Sequence, residues 1–337
     1  MPDPRPTAAL AMSRHAADQL LTGNTLAGLA EVTDLRYPPL LEDLAAPAAA
    51  DVLADAELLL TGWGCPPIDA GVLERAPRLR AIVHTAGTVR GHVTDACWER
   101  GIRVSSAAWA NALPVAEYTL AMILLANKRV LEISSEYRAA RARLPWDQRL
   151  PELGNYGSTV GVLGASLIGR RVLDLLRPFG LRTLLYDPYV APADAERLGA
   201  RPAGLDEVFR ESDVVSVHVP LLPGTVGLVS RELMASMRPG AMLLNTARGA
   251  VVDQDALAEL AGAGRIRAVL DVTEPEVLPA DHPLWDCENV LISPHIAGSV
   301  GNEIRRLGES AVAAARRFAE GLEFAHPVLR ERLDITA

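Results

Sequence analysis

Short apolar runs alternate with helical stretches along most of the chain. From Ala56 to His84, the apolar run ELLLTGW is followed by a proline-bearing loop, the helical segment VLERAP and the apolar run LRAIVH. The same order recurs further on, where the apolar runs are STVGVLG, LRTLLYD, DVVSVHVP, AMLLNTA, IRAVLDV and NVLISPHIA. Strands that alternate with helices are typical of parallel sheets with crossover connections. The pattern therefore predicts an α/β fold with doubly wound parallel sheets.

Two long helical stretches lie outside this alternation. Asn111 to Val130 is predicted to form a single helix with Pro114 near its first turn, where the missing N–H costs little. Its section TLAMILLA is apolar almost all round, which predicts burial on more than one side, in a core or a subunit interface. A last helix, from Asn302 to Glu320, is predicted to return the chain to the first domain.

Composition narrows the class of protein. The 337 residues suffice for two domains of a soluble globular protein, and the net charge of −9 argues against binding to nucleic acid or to an anionic membrane surface. Cys65, Cys97 and Cys287 lack metal-ligand or redox spacing, so we expect no metal site, no disulfide and a cytoplasmic location. No secretory signal is expected, and no apolar run approaches the ~18 residues that a membrane span needs.

A glycine-rich turn follows the strand run STVGVLG. In the dinucleotide-binding pattern G-x-G-x-x-G, the three glycine places are occupied here by Gly164, Ser166 and Gly169. Asp187 ends the next strand run, close to the ~20-residue spacing expected of a carboxylate that binds the adenine ribose. A purely structural strand–helix–strand unit is the alternative. The order of strand, turn, helix, strand and acid favours a dinucleotide site.

Polar side chains follow three of the later strand runs. Arg248 lies in NTARG, Asp271 and Glu276 lie in DVTEPE, and His295 lies in SPHIAGS. An arginine provides paired donors for a carboxylate, and a histidine beside a carboxylate can hold and release a proton. Taken singly, each has an ordinary structural explanation, such as a surface ion pair. Together at one sheet edge, they would bind a 2-oxo acid and protonate its carbonyl oxygen while a reduced nicotinamide delivers hydride.

The sequence resembles the D-isomer-specific 2-hydroxyacid dehydrogenase family through most of its length. The motifs that carry the resemblance are NALPVAEYTLAMILLANKR, VGVLGASLIGRR, LLYDPY, SDVVSVHVPLLPGT, MLLNTARGAVVDQDALAEL, AVLDVTEPEVLPADHPLW and NVLISPHIAGS. The resemblance implies a flavodoxin-like substrate-binding domain at residues 1–109 and 300–337 and a Rossmann NAD-binding domain at residues 110–299. It also implies a small 2-hydroxy or 2-oxo acid as substrate and a homodimer with the long helix at its contact.

The same resemblance implies a role for individual residues. His295 is the acid/base, Glu276 is its partner, and Arg248 anchors the substrate carboxylate. The positions implied at the cofactor are Gly164, Ser166, Leu167, Ile168, Gly169, Asp187, Pro220, Thr225, Thr246, Ala247, Asp271, His295 and Gly298. The predicted substrate-binding residues are Gly87, Thr88, Arg90 and Arg248.

The chain departs from the family pattern at two places. Ser166 stands where a glycine is usual, and Arg90, in the loop HTAGTVRGHV, stands at or near a position usually held by an aspartate. An arginine there favours a substrate with a second anionic group, and an outward-facing ion pair is the alternative. Two other functions stay open at the sequence level, namely a non-enzymatic NAD(H)-sensing protein of the corepressor kind and a phosphite-type dehydrogenase.

Overall fold

The computed structural model describes residues 5–333, which divide into two compact units. Among these residues, one unit comprises Arg5 to Asn111 together with Ser299 to Leu333, and the other runs from Ala112 to Gly298. The first unit is therefore discontinuous in sequence. Where the chain re-enters it, the backbone N–H of Ser299 donates to Oδ1 of Asn111 at 2.8 Å.

The first unit contains a six-stranded sheet. Its strands are β1 (Thr7–Ala11), β2 (Asp34–Leu41), β3 (Leu58–Thr61), β4 (Ala81–His84), β5 (Arg103–Ser106) and β13 (Pro327–Val328), in the spatial order β13-β5-β4-β3-β1-β2. Its helices are α1 (Arg14–Leu20), α2 (Gly23–Val32), α3 (Pro47–Asp55), α4 (Ala70–Arg75), α5 (Asp95–Glu99) and α14 (Ile304–Ala319). Along α14, the buried residues Leu307, Ala311, Ala315 and Phe318 recur every three or four positions, so one face packs on the unit's core.

One strand pair in this sheet departs from the expected parallel arrangement. The pairs among β1 to β5 are parallel, whereas β13 runs antiparallel to β5, with Pro327 opposite Ser105. A two-residue strand that contains proline has no apolar run to reveal it in the sequence, and proline is tolerated on a sheet edge. The predicted parallel arrangement is confirmed for the other pairs of this sheet, and the pair of β5 with β13 is the exception.

The second unit contains a seven-stranded sheet in which every pair is parallel. Its strands are β6 (Thr159–Leu163), β7 (Arg182–Tyr186), β8 (Arg201–Pro202), β9 (Val214–Val217), β10 (Met242–Asn245), β11 (Arg267–Leu270) and β12 (Val290–Ile292), in the order β12-β11-β10-β9-β6-β7-β8. Its helices are α7 (Val130–Ala140), α8 (Trp146–Arg149), α9 (Leu167–Leu176), α10 (Pro192–Arg197), α11 (Leu205–Glu211), α12 (Arg231–Ser236) and α13 (Gln254–Gly262). Short 3₁₀ turns of the two units lie at Gly249–Val251, Pro283–Asp286, Gly301–Glu303 and Arg330–Arg332.

The strand order of this sheet reverses between β6 and β9. The chain builds β6, β7 and β8 toward one edge and then β9 to β12 toward the other. Ligands of such sheets bind outside the carboxyl ends of the strands at the reversal. Every residue of β6, β9, β10 and β11 is buried, which explains why these strands appear in the sequence as continuous apolar runs. The predicted parallel strands of this region are confirmed.

Helix α6 (Ala108–Asn127) differs from its predicted bounds. It begins three residues before Asn111, which places Pro114 inside the helix, and it ends before Arg129, whose left-handed backbone (φ 48°) precedes α7. Among the described residues, α6 alone is long and apolar enough to cross a membrane, contrary to the expectation that no stretch approaches that length. Core helices meet the same criterion, and Ala116 and Ile123 of α6 are fully buried in a core cluster of the second unit.

Candidate active site

The glycine turn after β6 is built by two glycines that no other residue can replace without strain. Gly164 has φ +92°, a conformation that side chains other than glycine rarely adopt. A Cβ built on Gly169 would lie 2.0 Å from the carbonyl oxygen of Gly164, so only glycine lets α9 pack this closely on the turn. The turn therefore keeps the shape that a phosphate-binding loop requires at the start of a helix.

Ser166 replaces the middle glycine and acts as the N-cap of α9. Its backbone is extended (φ −62°), and its Oγ accepts the N–H of Gly169 at 3.3 Å. Serine is among the best N-cap residues, because its side chain satisfies a backbone donor of the first turn. The departure from the glycine pattern at this position is thus compatible with the same turn. Leu167 follows as an exposed residue and Ile168 as a half-buried one.

Asp187 follows β7 directly and is fixed beside this turn. Its Oδ2 accepts the N–H of Ala165 at 2.7 Å, and its Oδ1 accepts the N–H of Tyr189 at 2.8 Å. Each carboxylate oxygen retains a second lone pair that can accept a hydroxyl hydrogen. A glycine turn that leaves no room for a Cβ, a helix N-terminus and an acid held next to them fit a dinucleotide.

His295 and Glu276 form a close pair. Nδ1 of His295 lies 2.6 Å from Oε1 of Glu276, and the two side chains are 49% and 60% exposed. Within residues 5–333, Nε2 of His295 makes no hydrogen bond and stays open to a reactant. The carboxylate fixes the ring from the Nδ1 side, and Nε2 is the ring nitrogen that can still donate or accept a hydrogen bond.

His295 has a left-handed backbone (φ 53°), which is unusual for a residue with a side chain. Its N–H donates to the carbonyl oxygen of Asp271 at 2.9 Å. The next two N–H groups, of Ile296 and Ala297, donate to the carboxylate of Asp271 at 2.9 Å each. Asp271, which is 1% exposed, thereby holds the segment that carries the histidine.

Arg248 lies immediately beyond the carboxyl end of β10. Asn245 shapes this turn: its Nδ2 donates to the carbonyl oxygen of Arg248 at 2.9 Å, and its Oδ1 accepts the N–H of Ala247 at 2.9 Å. A Cβ on Gly249 would lie 2.1 Å from the carbonyl carbon of Thr273, so the turn packs directly against the loop that leads to Glu276. Nη1 of Arg248 donates to the carbonyl oxygen of Ala247 at 2.6 Å.

The structure brings the three chemical segments to one sheet edge, as predicted. Arg248 follows β10, Asp271 follows β11 and His295 follows β12, and these strands are neighbours. Thr225 lies in the loop after β9, where its Oγ1 donates to the carbonyl oxygen of Pro220 at 2.6 Å. Gly298, also predicted at the cofactor, follows the His295 segment and is half-buried.

Two α6 residues that the sequence analysis did not select also reach this edge. Tyr118 contacts Ser293 through its hydroxyl at 2.7 Å, and Oγ1 of the buried Thr119 lies 3.3 Å from Oγ1 of Thr246. The sequence signal that could have identified them is a pair of adjacent hydroxyl residues in a mostly apolar helix.

The predicted substrate-binding residues Gly87, Thr88 and Arg90 belong to the first unit, in the loop after β4. Gly87 is half-buried, whereas Thr88 and Arg90 are exposed, and Oγ1 of Thr88 accepts the N–H of Arg90 at 3.4 Å. Across residues 5–333, no group of three or more His, Cys, Asp or Glu side chains is arranged to hold a metal ion.

Residues 120–297 match the family model described as "D-isomer specific 2-hydroxyacid dehydrogenase, NAD binding domain". The chain belongs to this family. A glyoxylate reductase of Aeropyrum pernix is 34% identical over 299 residues, which are 86% of this chain and 87% of that protein. A D-3-phosphoglycerate dehydrogenase of Mycobacterium leprae is 36% identical over 313 residues, or 90% of this chain and 56% of the relative. The chain therefore spans little more than half of the length of that curated relative.

Solved structures match the chain across the sequence of both units. A protein from Thermus thermophilus is 33% identical, with a TM-score of 0.72 and coverage of 96% of this chain and 100% of that one. A phosphoglycerate oxidoreductase from Rhizobium etli is 25% identical, with a TM-score of 0.81 and coverage of 97% and 99%. The second unit is the family's Rossmann NAD-binding domain.

Proposed function

We propose that this chain is an NAD-dependent D-2-hydroxyacid dehydrogenase, which transfers hydride between the nicotinamide and C2 of a small 2-hydroxy or 2-oxo acid. The observation that carries the proposal is the pairing of His295 with Glu276 at the sheet edge that also carries Arg248. In this proposal, the first unit binds the substrate and the second unit binds NAD.

Bound NAD(H) supplies the hydride chemistry, and the chain supplies binding and proton transfer. Gly164, Ser166 and Gly169 would hold the pyrophosphate at the start of α9, and Asp187 the adenine ribose. The other residues proposed at the cofactor are Leu167, Ile168, Pro220, Thr225, Thr246, Ala247, Asp271 and Gly298.

In this proposal, three side chains bind the substrate carboxylate and transfer the proton. Arg248 would bind the substrate carboxylate through paired N–H donors, because a guanidinium matches a carboxylate in shape and charge. Nε2 of His295 would give its proton to the carbonyl oxygen in reduction and recover it in oxidation. Glu276 would orient the ring and stabilise its charged form.

Substrate choice and assembly are further parts of the proposal. Gly87, Thr88 and Arg90 would contact the substrate, and Arg90 would favour acids with a second anionic group. The location proposed is cytoplasmic and the assembly a homodimer. The homodimer is supported by the apolar character of α6 and by Val130 and Leu131 at the start of α7, which are 40% and 44% exposed. These two apolar side chains would be covered by a second copy.

The decisive experiment follows NADH absorbance with purified protein and a panel of monoanionic and dianionic 2-oxo acids. We expect turnover with at least one of them, and we expect His295→Ala to lower kcat by roughly 10²-fold to 10⁴-fold while NADH binding persists. His15→Ala, at an exposed position on α1, is the control and should keep full activity. Retained activity in His295→Ala would refute the mechanism, and NADH binding without turnover would favour a dinucleotide sensor.

A further inference from the structure

A chain of hydroxyl groups joins α6 to the carboxylate behind His295. Oη of Tyr118 lies 2.7 Å from Oγ of Ser293, and Oγ of Ser293 lies 2.7 Å from Oδ1 of Asp271. All three residues belong to the second unit. Tyr118 and Ser293 are 175 positions apart in the chain, so this contact exists only in the folded unit.

The direction of each hydrogen bond in this chain is fixed. A carboxylate can only accept, so Ser293 must donate its single hydroxyl hydrogen to Asp271. Ser293 then accepts from Tyr118, which must donate. Burial raises the pKa of Tyr118, the hydrogen bond with Ser293 lowers it, and the nearby charge of Asp271 raises it. The net direction is upward, so the phenol keeps the proton that it has to donate. Tyr118, Ser293 and Asp271 therefore form a chain of hydrogen bonds with a fixed direction, which we call the relay.

The relay ends on the group that fixes the backbone of the histidine segment. Oδ1 of Asp271 accepts both the Ser293 hydroxyl and the N–H of Ile296, and Oδ2 accepts the N–H of Ala297. His295 is held in a left-handed conformation, which persists only where its surroundings enforce it. Rotation of the Asp271 carboxylate would loosen the two N–H contacts that follow the histidine.

We propose that Ser293 and Tyr118 are positioning residues for His295, acting through Asp271, in the reaction proposed above. Glu276 fixes the imidazole from its Nδ1 side, whereas the relay fixes the backbone from which the ring extends. Ser293 contacts the carboxylate directly and has the larger effect. Tyr118 is hydrogen-bonded to the carboxylate through Ser293 and has the smaller effect.

The kinetic test uses variants that remove one hydroxyl each. We expect Ser293→Ala to lower kcat about tenfold and Tyr118→Phe about threefold, within the range of a single ordinary hydrogen bond, with the KM of the acid little changed. Ser293→Thr, which keeps a hydroxyl, should restore most of the activity. The double variant should be no slower than Ser293→Ala, because the hydrogen bonds that link Tyr118 to Asp271 run through the Ser293 hydroxyl.

Two controls remove hydroxyls elsewhere in the second unit. Ser158→Ala loses a 2.7 Å hydrogen bond to the carbonyl oxygen of Gly154, and Tyr137→Phe changes a side chain that is 58% exposed. Both should keep the kcat of the parent protein. The relay would be overturned if the double variant lost the product of the two single losses in kcat, or if Ser293→Ala left kcat unchanged.

A second measurement does not depend on turnover. With ¹³C-labelled histidine, the ring resonance of His295 is identified as the one missing from His295→Ala among the signals of seven histidines. It should shift or broaden in Ser293→Ala and Tyr118→Phe and stay in place in Ser158→Ala. A parent protein without turnover would refute the proposed function alone, whereas an unchanged His295 resonance in Ser293→Ala would refute the relay.

Discussion

The carboxylate of Asp187 accepts two backbone hydrogen bonds. It accepts the N–H of Ala165 in the glycine turn and the N–H of Tyr189 in the next loop, so its negative charge is held in place where the adenine ribose is proposed to bind. A fixed carboxylate accepts ribose hydroxyls and repels a 2′-phosphate. No Lys or Arg follows in the stretch PYVAPADAE to offset that repulsion.

We therefore predict that kcat/KM with NADH exceeds that with NADPH by at least about 100-fold, which corresponds to ~2.7 kcal/mol. Asp187→Ser should reduce this ratio by weakening NADH and relieving the repulsion of NADPH. Asp174→Ser, at an exposed position on α9, should leave the ratio unchanged. Equal efficiency of the two cofactors with the parent protein would contradict the prediction.

Some residues of the candidate site could be placed from the sequence, and others could not. Arg248, Asp271 and His295 could be placed at one edge because each directly follows an apolar strand run, and carboxyl ends of parallel strands meet. Tyr118 and Thr119 could not be placed in this way. Their partners are 175 and 127 positions away, and no local pattern encodes which face of a nearly all-apolar helix meets those partners.

The strand–turn–helix element from β6 to α9 depends on a backbone contact that admits no side chain. An added Cβ at Gly169 would meet the oxygen and the carbon of Gly164 at 2.0 and 3.1 Å, and backbone atoms cannot rotate away as a side chain can. Helix α9 would have to move outward from the turn. The N–H groups that face a phosphate would move with it.

Gly169→Ala should therefore lower the free energy of unfolding by ~1–3 kcal/mol, the usual cost of overpacking, and weaken NAD binding at least about tenfold. Denaturant titration and NADH fluorescence measure the two effects. Gly262→Ala is the matched control, since its Cβ would meet only Sγ of Cys287 at 4.0 Å, and it should change neither quantity appreciably. Parent-like NAD affinity in Gly169→Ala would show that the turn tolerates displacement.

The bounds of strands and helices could be predicted from the sequence only where burial produces a run of apolar residues. The strands of the second sheet coincide with apolar runs because they are covered on both faces. The predicted start of α6 at Asn111 is wrong, because the helix begins at Ala108 and continues through Pro114. Short elements such as β8 and β13 bury too few residues to leave a periodic signal.

At the scale of the whole molecule, stability should depend on two buried histidines of the first unit. Oγ1 of Thr61 lies 2.9 Å from Nδ1 of His84 and 3.1 Å from Nε2 of His92. Burial lowers the pKa of His84 to about 3, with a further contribution from the neighbouring His92, and burial lowers the pKa of His92 to about 4. Both rings are neutral in the folded protein at neutral pH.

The unfolded chain, with histidine pKa values near ~6.5, takes up protons that the folded protein excludes. The stabilising effect of keeping these rings neutral is thus present above about pH 6.5 and is lost as pH falls toward about 4. We predict a loss of about 2 kcal/mol per histidine between pH 7 and pH 5, measured by denaturant unfolding. His92→Asn should flatten this dependence, and an equally steep decline in that variant would contradict the assignment.

The discontinuity of the first unit has a consequence for biosynthesis. Its edge strand β13 and its helix α14 come from residues after Ser299, although its other strands are translated first. All seven strands of the second unit lie between Ala112 and Gly298, so a ribosome delivers that sheet complete while the earlier one still lacks its cover. The apolar surface that Ala311, Ala315 and Phe318 will cover stays exposed during this interval. The unit that begins first on the ribosome is the last to be finished, and nascent chains stalled before Ser299 should be the ones that chaperones retain.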